Sequence, residues 1–231
     1  KHLYLRGEER EQEMTILELI AENYARLLEG MGRTLLLTFW SLILASVLGL
    51  IFGMMKAARG KIWHILSSLY VDVIRGIPVL VLAFFVYFGI PQGFGVNISI
   101  FQASLIVLSL NAGAYMAEIV RGGIQSVDRG QMEAARSLGL PYRKAMQKVV
   151  LPQAIRTMIP SIINQFIITL KDTSILSVIG YADLIKVAKA VIARNFEAFR
   201  IWLIVALMYL IVITVLSKIA KAIERRMTYA K

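Results

Sequence analysis

The sequence predicts an all-α membrane protein with five transmembrane helices. Of its 231 residues, 58% are hydrophobic and only 18% are charged, which is too apolar for a soluble domain of this length. Several charge-free stretches approach or exceed the roughly 20 apolar residues that cross a bilayer as a helix. The predicted spans cover residues 34–55, 77–91, 99–120, 154–177 and 198–218.

Span one carries small residues at Ala45, Gly49 and Gly53. Because small residues four positions apart let helix backbones approach closely in lipid, this stripe predicts tight packing against another helix. The acidic, amphipathic segment 8–29 that precedes the span is expected to lie on the outer surface of the membrane.

The connection from span one to span two contains a predicted helix break. Residues 61–74 are amphipathic and predict a cytoplasmic interfacial helix. Pro78 lacks a backbone N–H and disfavours helix at Ile77, so a kink or a new start is expected there. Arg75, just before the break, is interpreted as snorkelling to the interface; the alternative is contact with a cytoplasmic partner or a lipid phosphate.

Spans two and three come from one charge-free run, residues 76–117, that is about two spans long. The turn-forming segment Pro91-Gln92-Gly93-Phe94-Gly95 divides it. Spans four and five are separated by a further connection that contains both acidic and basic residues.

The distribution of charge predicts the orientation. A net charge of +11 would suit nucleic-acid binding, but most of the 26 lysines and arginines flank the first and third loops and follow the last span. By the positive-inside rule these regions are cytoplasmic, which places the N-terminus outside and the C-terminus inside. We therefore expect a lipid membrane and no nucleic acid as partner. The chain has no cysteine, and its two histidines are far apart, so no metal site is expected.

The third loop has the features of two short helices. Asp128 is a candidate N-cap for a helix over 131–138, and Gly139 is a candidate C-cap. A second short helix is predicted over 142–151. Ala134, Ala135 and Leu138 give the first helix a small apolar face, which suits insertion into a groove of another protein.

This loop resembles the EAA motif of importer permeases in the ABC transporter superfamily, and four further segments resemble the polar amino-acid branch of that family. Two departures are Val149, where the family prefers Ile, and Ile77, where Thr is more usual. The likeness covers about residues 30–225. The matching segments are Glu133-Ala134-Ala135 with Gly139 and Val149-Val150-Leu151-Pro152; Arg75-Gly76-Ile77-Pro78; residues 111–119; Pro152-Gln153-Ala154; and Lys171-Asp172-Thr173-Ser174.

The resemblance implies the type I ABC importer permease fold, with a cytoplasmic coupling helix between helices 3 and 4. It also implies that this helix docks into a separate ATPase dimer that holds ATP and magnesium, so no cofactor is expected on this chain. The chain lacks the G-x-x-x-x-G-K-[ST] motif, and we expect a permease rather than an enzyme. The residues expected to couple to the ATPase are Glu133, Ala134, Ala135, Leu138 and Gly139.

The resemblance further implies a bacterial inner-membrane protein that imports polar amino acids of the glutamine, glutamate, arginine and histidine class. The expected partners are a second permease subunit, identical or related, and an extracytoplasmic substrate-binding protein. The chain then divides into an external segment 1–30, the transmembrane domain 31–225 and a cytoplasmic tail 226–231. Residues 1–13 are either native or a remnant of a larger chain, a tag or a linker.

Polar residues inside the predicted spans are the candidate substrate-binding residues, because such groups are costly in lipid. They fall on one face of span three and on two adjacent faces of span four. An amino-acid zwitterion needs donors for its carboxylate and acceptors for its ammonium group, and these residues offer both. The candidates are Asn111, Tyr115, Glu118, Asn164, Gln165, Lys171 and Asp172.

Other interpretations of these residues stay open. The polar groups can instead form hydrogen bonds between helices, Glu118 can serve a gate or a loop contact, and Lys171-Asp172 can lie near the external mouth. At the level of function, the alternatives are a permease for methionine or another small solute, a secondary transporter that works alone, and a membrane scaffold or receptor subunit.

Overall fold

The computed structural model describes residues 15–58 and 60–229, with only the backbone at 223 and 226–229. Helices make up nearly all of this part of the chain, and it contains no strand. The helices are α1 (Ile16–Ala57), α2 (Lys61–Gly76), α3 (Val79–Phe94), α4 (Ile100–Gln125), α5 (Arg129–Ser137), α6 (Tyr142–Ile179), α7 (Leu184–Asn195) and α8 (Ala198–Tyr229).

Four of the described helices, α1, α4, α6 and α8, are long and apolar enough to cross a membrane. The pair α2–α3 passes the same criteria as one bent span, which gives five. The two helices meet at an angle of 101°, with Ile77 and Pro78 between them in extended conformation. The predicted all-α fold and the predicted break at Pro78 are therefore confirmed.

Helix α1 is longer than the predicted span. It starts after Thr15, where Thr15 and Glu18 form a reciprocal capping box, and it continues without interruption to Ala57. Leu19 and Leu27 are buried against α7 and the first turns of α8. Residues 16–29 of the segment that we expected on the outer surface therefore form the start of α1. The apolar side of this part of the helix packs against α7 and α8 of the same chain. Residues 8–14 lie outside the described part.

The small-residue stripe of α1 packs against α4 as predicted. A Cβ atom on Gly49 would lie 2.4 Å from the Cβ of Met116, and one on Gly53 would lie 2.6 Å from the Cβ of Val120. Ala45 is fully buried in the same interface. The two helices can therefore approach this closely only because Gly49 and Gly53 have no Cβ atom.

We expect Gly49→Val to destabilise the α1–α4 interface by about 2 kcal/mol or more, as overpacking does in tightly packed cores. The measurement is the thermal unfolding midpoint of the detergent-purified protein. Gly32→Val is the matched control, because a Cβ atom on Gly32 meets nothing within 4 Å. Equal midpoints for the two variants would contradict this account of the interface.

Helix α6 differs from the prediction at its N-terminal end. The separate short helix expected over 142–151 is wrong, because this segment is continuous with the spanning helix. Residues 146–150 form a π-helical turn in which the N–H of Leu151 donates to the carbonyl oxygen of Met146. This wider turn lies directly before Pro152, whose missing N–H would interrupt an ordinary α-helical ladder. The helix ends in a 3₁₀ turn, and Gly180 follows with a φ of 97°.

Helix α7 is an element that the hydropathy pattern did not predict. The segment before it is attached to α1: the Tyr181 hydroxyl donates to the carbonyl oxygen of Arg33 over 3.0 Å, and the N–H of Leu184 donates to Oγ1 of Thr34 over 3.2 Å. Asp183 is fully buried and caps the helix by accepting from the N–H of Lys186 over 2.9 Å.

Burial raises the pKa of Asp183 to about 6, although the cap hydrogen bonds and Lys189 oppose the shift. Since the folded state then binds the proton more tightly than the unfolded state, this carboxyl group favours folding at acid pH. Its contribution falls as the pH rises from about 4 through about 6.

We expect Asp183→Asn to flatten the fall of the unfolding midpoint between pH 4.5 and pH 7.5, because it removes the charge and keeps an acceptor for the cap. The measurement is thermal unfolding in detergent at several pH values. Asp183→Ala is the control, since it also removes the cap and should lower the midpoint at every pH. A slope in Asp183→Asn as steep as in the wild type would contradict the assignment.

Candidate functional site

Two adjoining cavities of about 520 and 510 Å³ lie between α4, α6 and the bend that joins α2 to α3. They share Arg75, Tyr115 and Gln165 as lining residues. Six of the seven predicted substrate-binding residues line one or both. These six are Asn111, Tyr115, Glu118, Asn164, Gln165 and Asp172.

The contribution of α4 follows from its helical period. Asn111, Tyr115 and Glu118 are spaced i, i+4 and i+7, which places them along one face of the helix. Asn111 is buried and lines the first cavity, Glu118 lines the second, and Tyr115 lines both. The face predicted from the sequence is therefore the face that meets the cavities.

The contribution of α6 comes from one of the two faces that the sequence suggested, together with Asn164. Gln165 is buried, and its side-chain Nε2 lies 3.4 Å from Oγ1 of Thr169. The Thr169 hydroxyl in turn donates to the backbone carbonyl oxygen of Gln165 over 2.9 Å. Asp172 lines the first cavity and Asn164 the second. Lys171 is exposed and lines neither, because adjacent residues on a helix point about 100° apart.

Arg75 is the cavity residue that reasoning from the sequence missed. It is the penultimate residue of α2, and its guanidinium carbon lies 4.9 Å from the centre of the Tyr115 ring, a cation–π contact. The extended residues after α2 let the chain turn, so Arg75 lines both cavities. The signal was present in the sequence: a charged residue directly before a helix break at the edge of a charge-free run.

Glu118 is already paired with cations. Its Oε1 lies 2.5 Å from Nζ of Lys56 at the end of α1, and its Oε2 lies 2.7 Å from Nη2 of Arg121. Lys56 also lies 3.4 Å from Oδ1 of Asp72 on α2. These cations of the same chain already balance the charge of the carboxylate, which agrees with the alternative that Glu118 serves a gate or a loop contact.

The predicted coupling segment forms α5, with the expected cap at each end. Asp128 accepts from the N–H of Gly130 over 2.7 Å. At the other end, the N–H of Gly139 donates to the carbonyl oxygen of Arg136 and that of Leu140 to Ala135. This is the Schellman pattern, and Gly139 has the left-handed φ of 83° that the pattern requires.

The exposed surface of α5 differs in one residue from the predicted docking face. Glu133 and Ala134 are exposed, and Leu138 is 85% exposed. Ala135 is only 5% exposed, because α5 packs against the start of α6. Ala135 therefore helps to hold α5 on the chain, and the surface open to another protein consists of the other residues.

The part of the chain described by the structure holds no group of three or more His, Asp or Glu side chains that would suit a metal ion. The polar groups of the cavities are instead a guanidinium, a carboxylate, carboxamides and a phenol. Such a set can bind a small zwitterion or a polar amide.

Comparisons with known proteins agree with this architecture. Residues 45–229 match the family described as binding-protein-dependent transport system inner membrane component. The glutamine transport system permease protein GlnP of Escherichia coli K12 is 41% identical over 202 residues, 87% of this chain and 92% of that protein. The arginine transport system permease protein ArtQ of Bacillus subtilis is 36% identical over 201 residues, with the same coverage.

Among solved structures, one chain of an amino acid ABC transporter crystallised with histidines superposes with a TM-score of 0.86 at 39% identity. The match covers 92% of this chain and 99% of that chain. It confirms the importer permease fold that the resemblance implied. The chain belongs to the family of binding-protein-dependent transport system inner membrane components.

Proposed function

We propose that this protein is the permease subunit of an ATP-driven importer of polar amino acids. The observation that carries the proposal is the pair of cavities, which combines a guanidinium, a carboxylate and carboxamides within a bundle of apolar helices. An importer of this kind needs groups that recognise both charges of a zwitterion in a place shielded from lipid.

The polar groups divide between the two ends of such a substrate. Arg75 binds the carboxylate, because a guanidinium donates two parallel hydrogen bonds to a carboxylate. Asp172 accepts from the ammonium group. Asn111 and Gln165 line the first cavity beside them and donate to or accept from the substrate side chain. Asn164 and Tyr115 extend this polar wall into the second cavity. Lys171, which is exposed, meets the substrate at the external mouth.

The coupling step runs from α5 to α6. A separate ATPase dimer, which holds the ATP and magnesium, receives Glu133, Ala134 and Leu138 in a surface cleft. Gly139 ends α5, and a short connection leads directly into α6. A hydrogen bond of 3.2 Å between Gln153 and Gln131 ties the two helices together. Movement of α5 is thereby passed to the helix that carries Gln165 and Asp172.

The family match supports two further partners. A second permease subunit completes the translocation path, and a substrate-binding protein delivers the amino acid on the outer face. The N-terminus lies outside and the C-terminus inside, as the basic loops indicate. No cofactor is bound by this chain itself.

The test is uptake of radiolabelled L-glutamine into proteoliposomes that contain the permease, its ATPase and its binding protein. We expect uptake that requires ATP and is inhibited by unlabelled glutamine, glutamate, arginine or histidine. Uptake driven by an ion gradient with the permease alone would establish a secondary transporter. Competition by methionine alone would favour the other small-solute permease.

A further inference from the structure

We propose that Glu118 is a positioning residue that fixes Arg75 at the cavity through Lys56 and α2, and that it does not bind the substrate itself. This inference rests on the proposed function, because it concerns how the site for the carboxylate is built.

Each carboxylate oxygen of Glu118 lies in an ion-pair contact with a cation of this chain. Lys56 contacts Oε1 over 2.5 Å and Arg121 contacts Oε2 over 2.7 Å. The side chains of Lys56 and Glu118 are only 10% and 18% exposed, so water screens this pair weakly. A substrate ammonium group would have to displace an ion pair that is already formed and largely desolvated.

Lys56 carries the connection onward to α2. Its ammonium group also lies 3.4 Å from Asp72, which is one helical turn before Arg75. The other polar attachments of α2 that bear on this end are the Ser67 hydroxyl, which donates to the Phe52 carbonyl oxygen, and the Tyr70 hydroxyl, which donates to that of Leu110. The contact of Lys56 with Asp72 is therefore the polar attachment of α2 that lies closest in sequence to Arg75, among the residues described.

Arg75 depends on this attachment because the chain leaves α2 immediately after it. The next helix turns away by 101°, so α3 does not continue the axis of α2 beyond Arg75. Within the described ranges, Arg75 has no carboxylate partner, and its guanidinium group makes a cation–π contact with the Tyr115 ring. The charge of Arg75 is thus available for a substrate carboxylate. Its position follows from that of α2, which the ion pairs of Lys56 with Asp72 and Glu118 attach to α1 and α4.

The test is equilibrium displacement of radiolabelled L-glutamine from the purified permease–ATPase complex. Three competitors are used: L-glutamine, glutamine with its carboxylate blocked as an amide, and the analogue in which a hydroxyl replaces the ammonium group. We expect Glu118→Gln to weaken glutamine binding about tenfold, because a displaced Arg75 would lose one charged hydrogen bond to the substrate carboxylate. The variant should also lose most of its discrimination against the carboxylate-blocked analogue and keep its discrimination against the hydroxy analogue.

The opposite pattern, loss of discrimination against the hydroxy analogue, would show that Glu118 binds the ammonium group and would overturn the inference. So would unchanged glutamine binding in Glu118→Gln. The matched control is Glu29→Gln, which removes the exposed carboxylate that pairs with Arg33 on α1 and should bind all three competitors as the wild type does.

A double-mutant cycle with Lys56 gives an independent readout. Lys56→Met should reproduce the changed discrimination. The double variant should bind glutamine as well as whichever single variant binds it less tightly, because both substitutions break the same link between α4 and α2. Additive losses of binding free energy would contradict this link.

If Glu118→Gln fails to assemble, Asp72→Asn gives the same test, since Asp72 is 69% exposed. In that variant we expect glutamine binding to weaken two- to threefold. A wild-type complex that binds neither glutamine nor arginine would overturn the proposed function, and this inference with it.

Discussion

Arg75→Gln should lower ATP-dependent uptake at low substrate concentration by about one to two orders of magnitude, since a hydrogen bond to a charged group contributes about 1.5–3 kcal/mol. The substitution removes a cation that lines both cavities and leaves the substrate carboxylate without a charged donor. The loss should appear mainly as a higher KM in proteoliposome uptake, because the ATPase machinery is untouched.

Two companion variants make this result interpretable. Arg75→Lys keeps the charge but not the planar group over the Tyr115 ring, so an intermediate loss is expected. Arg26→Gln removes an exposed arginine from the N-terminal part of α1 and should leave KM unchanged. A wild-type KM in Arg75→Gln would remove Arg75 from the substrate site.

The parts of the fold that could be predicted are those that depend on the local order of residues along the chain. Long apolar runs fixed the spans, the spacing of Ala45, Gly49 and Gly53 anticipated the α1–α4 interface, and Pro78 marked the bend. By contrast, α7 and the start of α1 are mixed in polarity. Their helices are stabilised by burying Leu19 and Leu27 against partners distant in the chain, and no local window contains that information.

The candidate site shows the same division. Helical spacing placed Asn111 and Tyr115 on the cavity face, but it could not reveal which charges would be neutralised. Glu118 meets Lys56 only because α1 and α4 pack closely enough to bring them together. Arg75 reaches the cavity only because the chain turns at Pro78. Face and spacing are properties of one helix, whereas pairing and access are properties of the packed bundle.

Leu138→Asp should prevent stable association with the ATPase and abolish ATP-dependent uptake, while the permease still folds and inserts. Leu138 is 85% exposed at the end of α5, and a large apolar side chain there gains stability only when a partner covers it. Burying a carboxylate in that cleft without a counter-charge would cost several kcal/mol. The measurement is co-purification of the ATPase with the tagged permease, together with uptake in proteoliposomes.

The control for Leu138→Asp is Leu17→Asp. Leu17 is a leucine of similar exposure, 78%, at the opposite end of the bundle. It should retain the ATPase at the wild-type level. Glu133→Lys tests the same coupling segment with a reversed charge and should also reduce uptake, since Glu133 is exposed on α5. Normal co-purification and uptake in both α5 variants would mean that the importer is driven through another surface. Because α5 leads directly into α6, loss of the ATPase at α5 should stop alternation even with the cavities intact, so both variants should still bind L-glutamine at equilibrium.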